Sequence, residues 1–313
     1  MKCSNPYYMK TVGGLVGCGQ CLLCRINDRR KWTLRLMLEA RTHALSSWYA
    51  LTYSKEFLPV ESVDITTGQL YYSPSGTLDR AQIDGFFNRL RKTLNGKPFR
   101  YFLCGEYGDD NTRPHYHLCV FGYGEEIHNL LKQSWSDPVS RRSFGILSYE
   151  GALTQENLQY TVGYTTKKLT KADDPRLDGR HPEFTSHSRG IGVGAVPALV
   201  RAFATDSATD HISFTGDIPR ALRINGRWWP LDRYLRTKIL EELDRGDDIT
   251  KLAFAKYKTQ MSIMQNHREA DPEVSISQPS KAYLLESSYH KRNAQSLLNA
   301  TKRAKLRERK TKL

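Results

Sequence analysis

No run of about 18 apolar residues occurs anywhere in the chain, so no membrane-spanning helix is expected. The opening stretch, MKCSNPYYMKTVGG, lacks the apolar segment of a secretory signal, and the expected compartment is a reducing cytoplasm. Internal repeats are missing, which sets aside repeat architectures. Strands and helices interleave without regular βαβ spacing, so an antiparallel α+β arrangement is favoured over a doubly wound one. Acidic residues are too few to balance the basic ones: 33 against 47 gives a formal charge of +14. That excess points to a polyanion, nucleic acid before membrane, because no basic amphipathic anchor is evident. A merely soluble basic surface would give the same total. At 313 residues the chain can form one large domain or two around a real core.

Cysteine is concentrated rather than plentiful. Four of the six lie in the first 24 residues, at Cys3, Cys18, Cys21 and Cys24, and CGQCLLC holds two overlapping C-x2-C spacings. Thiolates so spaced suit tetrahedral Zn²⁺ in a reducing compartment, with Cys3 returning as the fourth ligand. The alternative is a set of buried or redox-active thiols without metal. Cys104 and Cys119 fall in strand-like stretches and read as small core residues.

After this cluster Trp32, Leu36 and Ala40 recur at helical spacing, with Asn27 or Asp28 as cap candidates. SWYALTYS (47–54) is β-prone, and residues 55–78 read as a loop with a short strand at GQLYYS. Asp79 opens a helix whose Ile83, Phe86, Phe87 and Leu90 form an apolar stripe, and Asn95-Gly96 ends it. FRYFLCGEYG (99–108) and HYHLCVFGY (115–123) flank a polar turn and predict an antiparallel hairpin. A short helix is expected around Trp135 and a strand at FGILSYE. TQENLQYTVGYTTKKL predicts a helix capped by Thr154, with Asn157 three residues on. FTSHSRGIGVGAV (184–196) reads as a glycine-rich loop. From about residue 200 the pattern is helical, broken by a tight turn at RINGRWWP. The last residues, 291–313, hold nine lysines and arginines against one glutamate, as an electrostatic tail for nucleic acid would.

Within RPHYHLCVFG, His115 and His117 stand two apart on a strand and so share one face. Glu106, on the other arm of the hairpin, offers a carboxylate. One acid and two imidazoles form a mixed oxygen/nitrogen site with open positions, suited to Mg²⁺ or Mn²⁺. Two histidines on a strand also occur for ordinary packing reasons. In YTVGYTTKK, Tyr160 and Tyr164 are one helical turn apart, Lys168 continues their row and Lys167 lies beside it. An ordinary tyrosine, with pKa about 10, is ionised in about one molecule in a thousand at neutral pH, a deficit of roughly 4 kcal/mol as a nucleophile. A nearby lysine or metal ion would lessen it. Tyrosines packing a helix face are the commoner case for that pattern alone.

Taken together, PHYH, YTVGYTTKK and the upstream YALTY resemble the His-hydrophobic-His (HUH) endonucleases, the replication initiators and relaxases that nick single-stranded DNA. The order CGQCLLCR, LTYS, CGEYGDDNTRPHYHLCVFG, YTVGYTTKK and FTSHSRGIG resembles more closely the replication initiators of gokushovirus-type microviruses, over roughly residues 1–195. The resemblance implies an HUH-like α+β fold: a central antiparallel sheet flanked by helices, here with an N-terminal cysteine cluster and a helical C-terminal extension. It implies a nuclease core over 46–200, preceded by a cysteine-rich segment and helix (1–45) and followed by a helical region with a basic tail (201–313). It implies a catalytic ion on Glu106, His115 and His117, and tyrosine attack by Tyr160 and Tyr164 assisted by Lys168 or Lys167. The product would be a 5′-phosphotyrosyl link and a free 3′-OH for rolling-circle synthesis. The implied partners are single-stranded origin DNA and a host polymerase and helicase, in the host cytoplasm. A plasmid replication protein or mobilisation relaxase would share this chemistry. A non-catalytic zinc-containing DNA-binding regulator would explain charge and cysteines but leave Glu106, His115, His117 and the tyrosines as coincidence.

Overall fold

A computed structural model describes residues 3–9, 14–64, 67–108, 112–167, 174–203 and 218–245, excepting the side chains of residues 14, 15, 164–167, 244 and 245. The described chain divides into two compact units, one from Trp32–Ala195 and the other from Met1–Lys31 with Val196–Leu313. The basic tail, residues 291–313, lies outside the described residues.

The unit of residues 32–195 is built on five strands: β3 (Ser46–Thr52), β6 (Arg100–Tyr107), β7 (Pro114–Phe121), β8 (Leu147–Ala152) and β9 (Phe184–His187). They form one sheet in the order β8-β3-β7-β6-β9, antiparallel throughout. The predicted hairpin is β6–β7, and the SWYALTYS strand is β3. The stretch from Phe184 to His187, read from sequence as loop, is instead an edge strand: its backbone pairs with Phe102–Gly105 of β6. Its four residues are too short to show alternation above the glycines that follow.

Helix α2 (Arg80–Thr93) covers one face of the sheet, capped by the Asp79 carboxylate accepting the Gln82 N–H at 2.9 Å. Its stripe of Ile83, Phe86, Phe87 and Leu90 is buried against Tyr49, Leu51, Tyr101, Leu103, Tyr116, Leu118 and Val120, with Trp135 at the end of α3 (His128–Ser134). Each such side chain contributes about 1.5–3 kcal/mol on burial. Helix α2 ends at Asn95 and Gly96, both at positive φ, as the sequence predicts. Residues 61–72 form a small hairpin of β4 (Glu61–Val63) and β5 (Leu70–Tyr72) where one short strand was expected.

The opposite face is lined by Trp48, Ala50, Phe102, Cys104, Glu106, His115, His117 and Cys119. Trp32 of α1 (Leu22–Arg41) packs on Phe102, with ring centroids 5.4 Å apart. Helix α4 (Gln155–Lys167) packs on β6 and β7. It begins with the expected reciprocal cap, in which the Thr154 N–H donates to Asn157 Oδ1 (2.7 Å) and the Asn157 N–H to Thr154 Oγ1 (3.3 Å). Buried Glu39 of α1 takes a bidentate pair from Arg100 of β6 and the Gly192 N–H at 2.7 Å, fixing helix, sheet and glycine-rich loop to one another.

In the other unit, β1 (Tyr7–Met9) and β2 (Gly14–Val16) form a short antiparallel ladder beside the cysteine cluster. Helix α1 starts well before the predicted caps Asn27 and Asp28, because Cys21 caps it. The Cys21 carbonyl accepts the Arg25 N–H at 3.0 Å and its sulfur accepts the Cys24 N–H at 3.4 Å. Helices α5 (Val196–Phe203) and α6 (Arg233–Arg245) pack together. RINGRWWP is more than a turn: β10 (Ala221–Ile224) and β11 (Arg227–Pro230) pair around Asn225-Gly226, both at positive φ. Among the described residues no helix is long and apolar enough to cross a membrane.

Candidate metal centre and its tyrosine

The antiparallel register places Glu106 of β6 directly opposite His115 of β7, and Cys104 opposite His117. Alternation along β7 then turns both imidazoles to the face where Glu106 points, and sends the intervening Tyr116 into the core. Tyr116 is fully buried, and its hydroxyl accepts the Asp79 N–H at 2.9 Å and lies 3.1 Å from the Tyr53 hydroxyl. The strand carrying the histidines is thereby tied to the first turn of α2. Gly105 sits between Cys104 and Glu106 because a Cβ there would meet the Tyr116 ring at 3.0 Å.

The predicted trio does converge. His115 Nε2 lies 2.7 Å and His117 Nε2 3.0 Å from the same oxygen, Glu106 Oε1. All three ligand atoms fall within 4.8 Å of one another. Glu106 and His117 are buried, whereas the His115 side chain keeps 23% of its exposure, so the cluster is walled on the sheet side and open on the other. Burial opposes charge on His115, but the hydrogen bond and charge of Glu106 outweigh it and raise its pKa above the ordinary imidazole value. A carboxylate and two imidazoles facing one opening form a donor set that fits a divalent cation with coordination positions left for solvent or substrate.

Helix α4 lays Leu158, Thr161 and Val162 into the sheet and leaves Tyr160 at the margin, 49% exposed. The Tyr160 ring stands nearly perpendicular to His117, with centroids 5.7 Å apart. Tyr164 and Lys167 belong to the same helix, but their side chains, and the whole of Lys168, lie outside the described residues. One participant escaped sequence reading. Trp48 of β3 stacks on His117 (5.8 Å, 22°) and meets Tyr160 edge-on (5.8 Å, 79°). Its signal was available only as alternation in SWYALTY, where Trp48 and Ala50 share the histidine face.

The second predicted cluster is also assembled. Sulfurs of Cys3, Cys18, Cys21 and Cys24 all lie within 4.8 Å of one another. The remaining thiols, Cys104 and Cys119, are buried in the sheet as expected, and burial pushes the Cys119 thiol up to about 12, which makes it inert.

Residues 47–173 match the family model of the replication-associated protein ORF2. The replication-associated protein ORF2 of Spiroplasma virus 4 is 31% identical over 196 residues, 58% of this chain and 57% of that protein. Similar are the replication-associated protein VP4 of Bdellovibrio phage phiMH2K (26% over 190 residues, 56% and 55%) and the replication-associated protein ORF4 of Chlamydia phage 1 (27% over 204 residues, 59% and 46%). The chain thus spans about half the length of the curated relatives it matches. No solved structure matches it significantly.

Proposed function

We propose, taking as premise that residues 47–173 match the replication-associated protein ORF2 family and resemble phage replication proteins, that the chain initiates replication of a viral genome by nicking single-stranded origin DNA. The observation that carries this reading is the convergence of Glu106, His115 and His117 on one open site with Tyr160 at its rim. A divalent cation, Mg²⁺ or Mn²⁺, held by those three side chains would supply charge stabilisation for a bound phosphodiester.

The tyrosine hydroxyl attacks phosphorus. The new bond is tyrosine oxygen to phosphorus, the bond broken is phosphorus to the 3′-oxygen, and the phenolic proton passes to solvent as the 3′-oxygen leaves and is protonated. The 5′-phosphate stays on the protein and the free 3′-OH is the primer for a host polymerase, acting with a helicase in the host cytoplasm. Trp48 fixes the His117 plane from one side, which holds the imidazole nitrogen toward Glu106. Tyr160 and Tyr164 alternate as nucleophiles, one holding the old end while the other cuts the regenerated origin. Lys168, with Lys167 as its neighbour, offsets phenolate or phosphate charge. The basic excess concentrates the polyanionic strand near the site.

The test is incubation of the full chain with single-stranded circular DNA and Mn²⁺, followed by protease digestion. A peptide covalently attached to DNA is the expected product. Retention of DNA without any covalent adduct would convert the reading to a binding protein.

A further inference from the structure

We propose that Cys3, Cys18, Cys21 and Cys24 hold a single zinc ion that builds the first turn of α1 and the adjoining β1–β2 ladder. Cys3 Sγ lies 3.4 Å from Cys18 Sγ and 3.7 Å from Cys21 Sγ, and no pair of the four exceeds 4.8 Å. A tetrahedron of sulfurs each about 2.3 Å from a central zinc has edges of about 3.8 Å. The cage is the size of one ion. A multi-iron cluster carries inorganic sulfide between its metals and needs its thiolates spread wider.

Backbone geometry around the sulfurs points the same way. Cys3 Sγ accepts N–H groups from Asn5 and Cys18, both at 3.2 Å; Cys18 Sγ accepts from Cys21 at 3.3 Å and Cys21 Sγ from Cys24 at 3.4 Å. Donors aimed at sulfur stabilise thiolates, and such outer contacts orient metal ligands. Gly19, between Cys18 and Cys21, takes φ +73°, which lets the backbone turn beneath the sulfurs. A Cβ on Gly17 would stand 3.0 Å from Cys24 Sγ, so the chain leaves that space for sulfur. All four cysteines are thiols in the structure.

The surroundings supply a reason for the ion. Strands β1 and β2 have three residues each, and Tyr7 and Tyr8 are 50% and 63% exposed, so this ladder buries little of its own. Short ladders of that kind are not stable alone, and a metal can supply the missing folding energy.

The test is elemental analysis of the full chain purified under reducing conditions, with Cys21→Ser and His117→Ala alongside. About one zinc per chain is expected in the wild type and in His117→Ala, and little in Cys21→Ser. Should Cys21→Ser fail to fold, cobalt is titrated into metal-stripped wild-type protein, where four thiolates give an intense sulfur-to-cobalt charge-transfer band. Iron in place of zinc, four thiols open to alkylation with no metal and no cobalt band, or zinc lost from His117→Ala but kept in Cys21→Ser would each overturn the proposal.

Discussion

Tyr160 and His117 meet with their rings almost perpendicular, 5.7 Å between centroids and 84° between planes. The contact joins a helix residue to a strand residue far earlier in the sequence. Edge-to-face pairs of this kind contribute about 0.5–1.5 kcal/mol, enough to bias a side chain without locking it. Tyr160 is therefore both placed beside the imidazole and, being half exposed, reachable by a DNA strand.

His117→Ala removes one donor of the cluster and the ring on which Tyr160 and Trp48 rest. Covalent adduct formation is expected to fall by on the order of a hundredfold or more, the scale for losing one preorganised electrostatic group. Binding to single-stranded DNA, dominated by phosphate contacts, should change little. Unchanged nicking at saturating Mn²⁺ would remove His117 from the site.

Glu39 offers a pH test that does not involve the site. Burial pushes its carboxyl up, but Arg100, the Gly192 N–H and His43 outweigh that and hold its pKa below the usual carboxylate value. Because the folded value is the depressed one, its stabilisation is fully present above about pH 4.5 and is lost as pH falls through the folded value. Glu39→Gln should lower stability by about 3 kcal/mol near neutral pH. The gap from wild type should narrow as pH falls below that point, as read by thermal melts across pH. A gap independent of pH would mean Glu39 acts only by packing.

How far sequence reached is visible in particular residues. Asp79 as a cap, the Phe86/Phe87 stripe and the strand face shared by His115 and His117 rest on local periodicity, so they were legible. The start of α1 was not, since its cap is the sulfur of Cys21, and cysteine carries no general capping signal. The edge strand β9 was hidden because pairing with β6, rather than its own pattern, makes it a strand. Trp48 joined the site only through register, which sets it opposite Cys119. Register is a relation between distant segments and cannot be read from either one.

Deleting residues 291–313 should weaken single-stranded DNA binding and flatten its salt dependence while the nick stays in place. Each lysine or arginine of that segment that contacts phosphate accounts for about 0.7 in the log–log slope on a single strand. Binding isotherms over a salt series measure the slope, and sequencing maps the nick. A displaced nick would assign sequence reading to the segment.

The two tyrosines give the most discriminating prediction. Tyr160 and Tyr164 are separated by one helical turn, about 6 Å along the α4 axis, so a small slide of strand or helix exchanges them at one phosphate. Tyr160→Phe and Tyr164→Phe should each retain some cleavage of an origin oligonucleotide in a single round, because one hydroxyl remains. The double variant should form no adduct. Repeated cleavage and rejoining should fail in either single variant, since the held end occupies the remaining tyrosine. Lys168→Ala should slow cleavage without moving the nick. Because Tyr160 is the tyrosine seen against His117, it is the expected first nucleophile, and mass spectrometry of the trapped peptide should find the oligonucleotide there in the first round. Linkage to Tyr164 alone, with Tyr160→Phe fully active over many rounds, would reduce the mechanism to one tyrosine and leave Tyr160 as a packing partner of His117. Linkage to a tyrosine outside 160–164 would break the connection between the cluster and the nucleophile altogether.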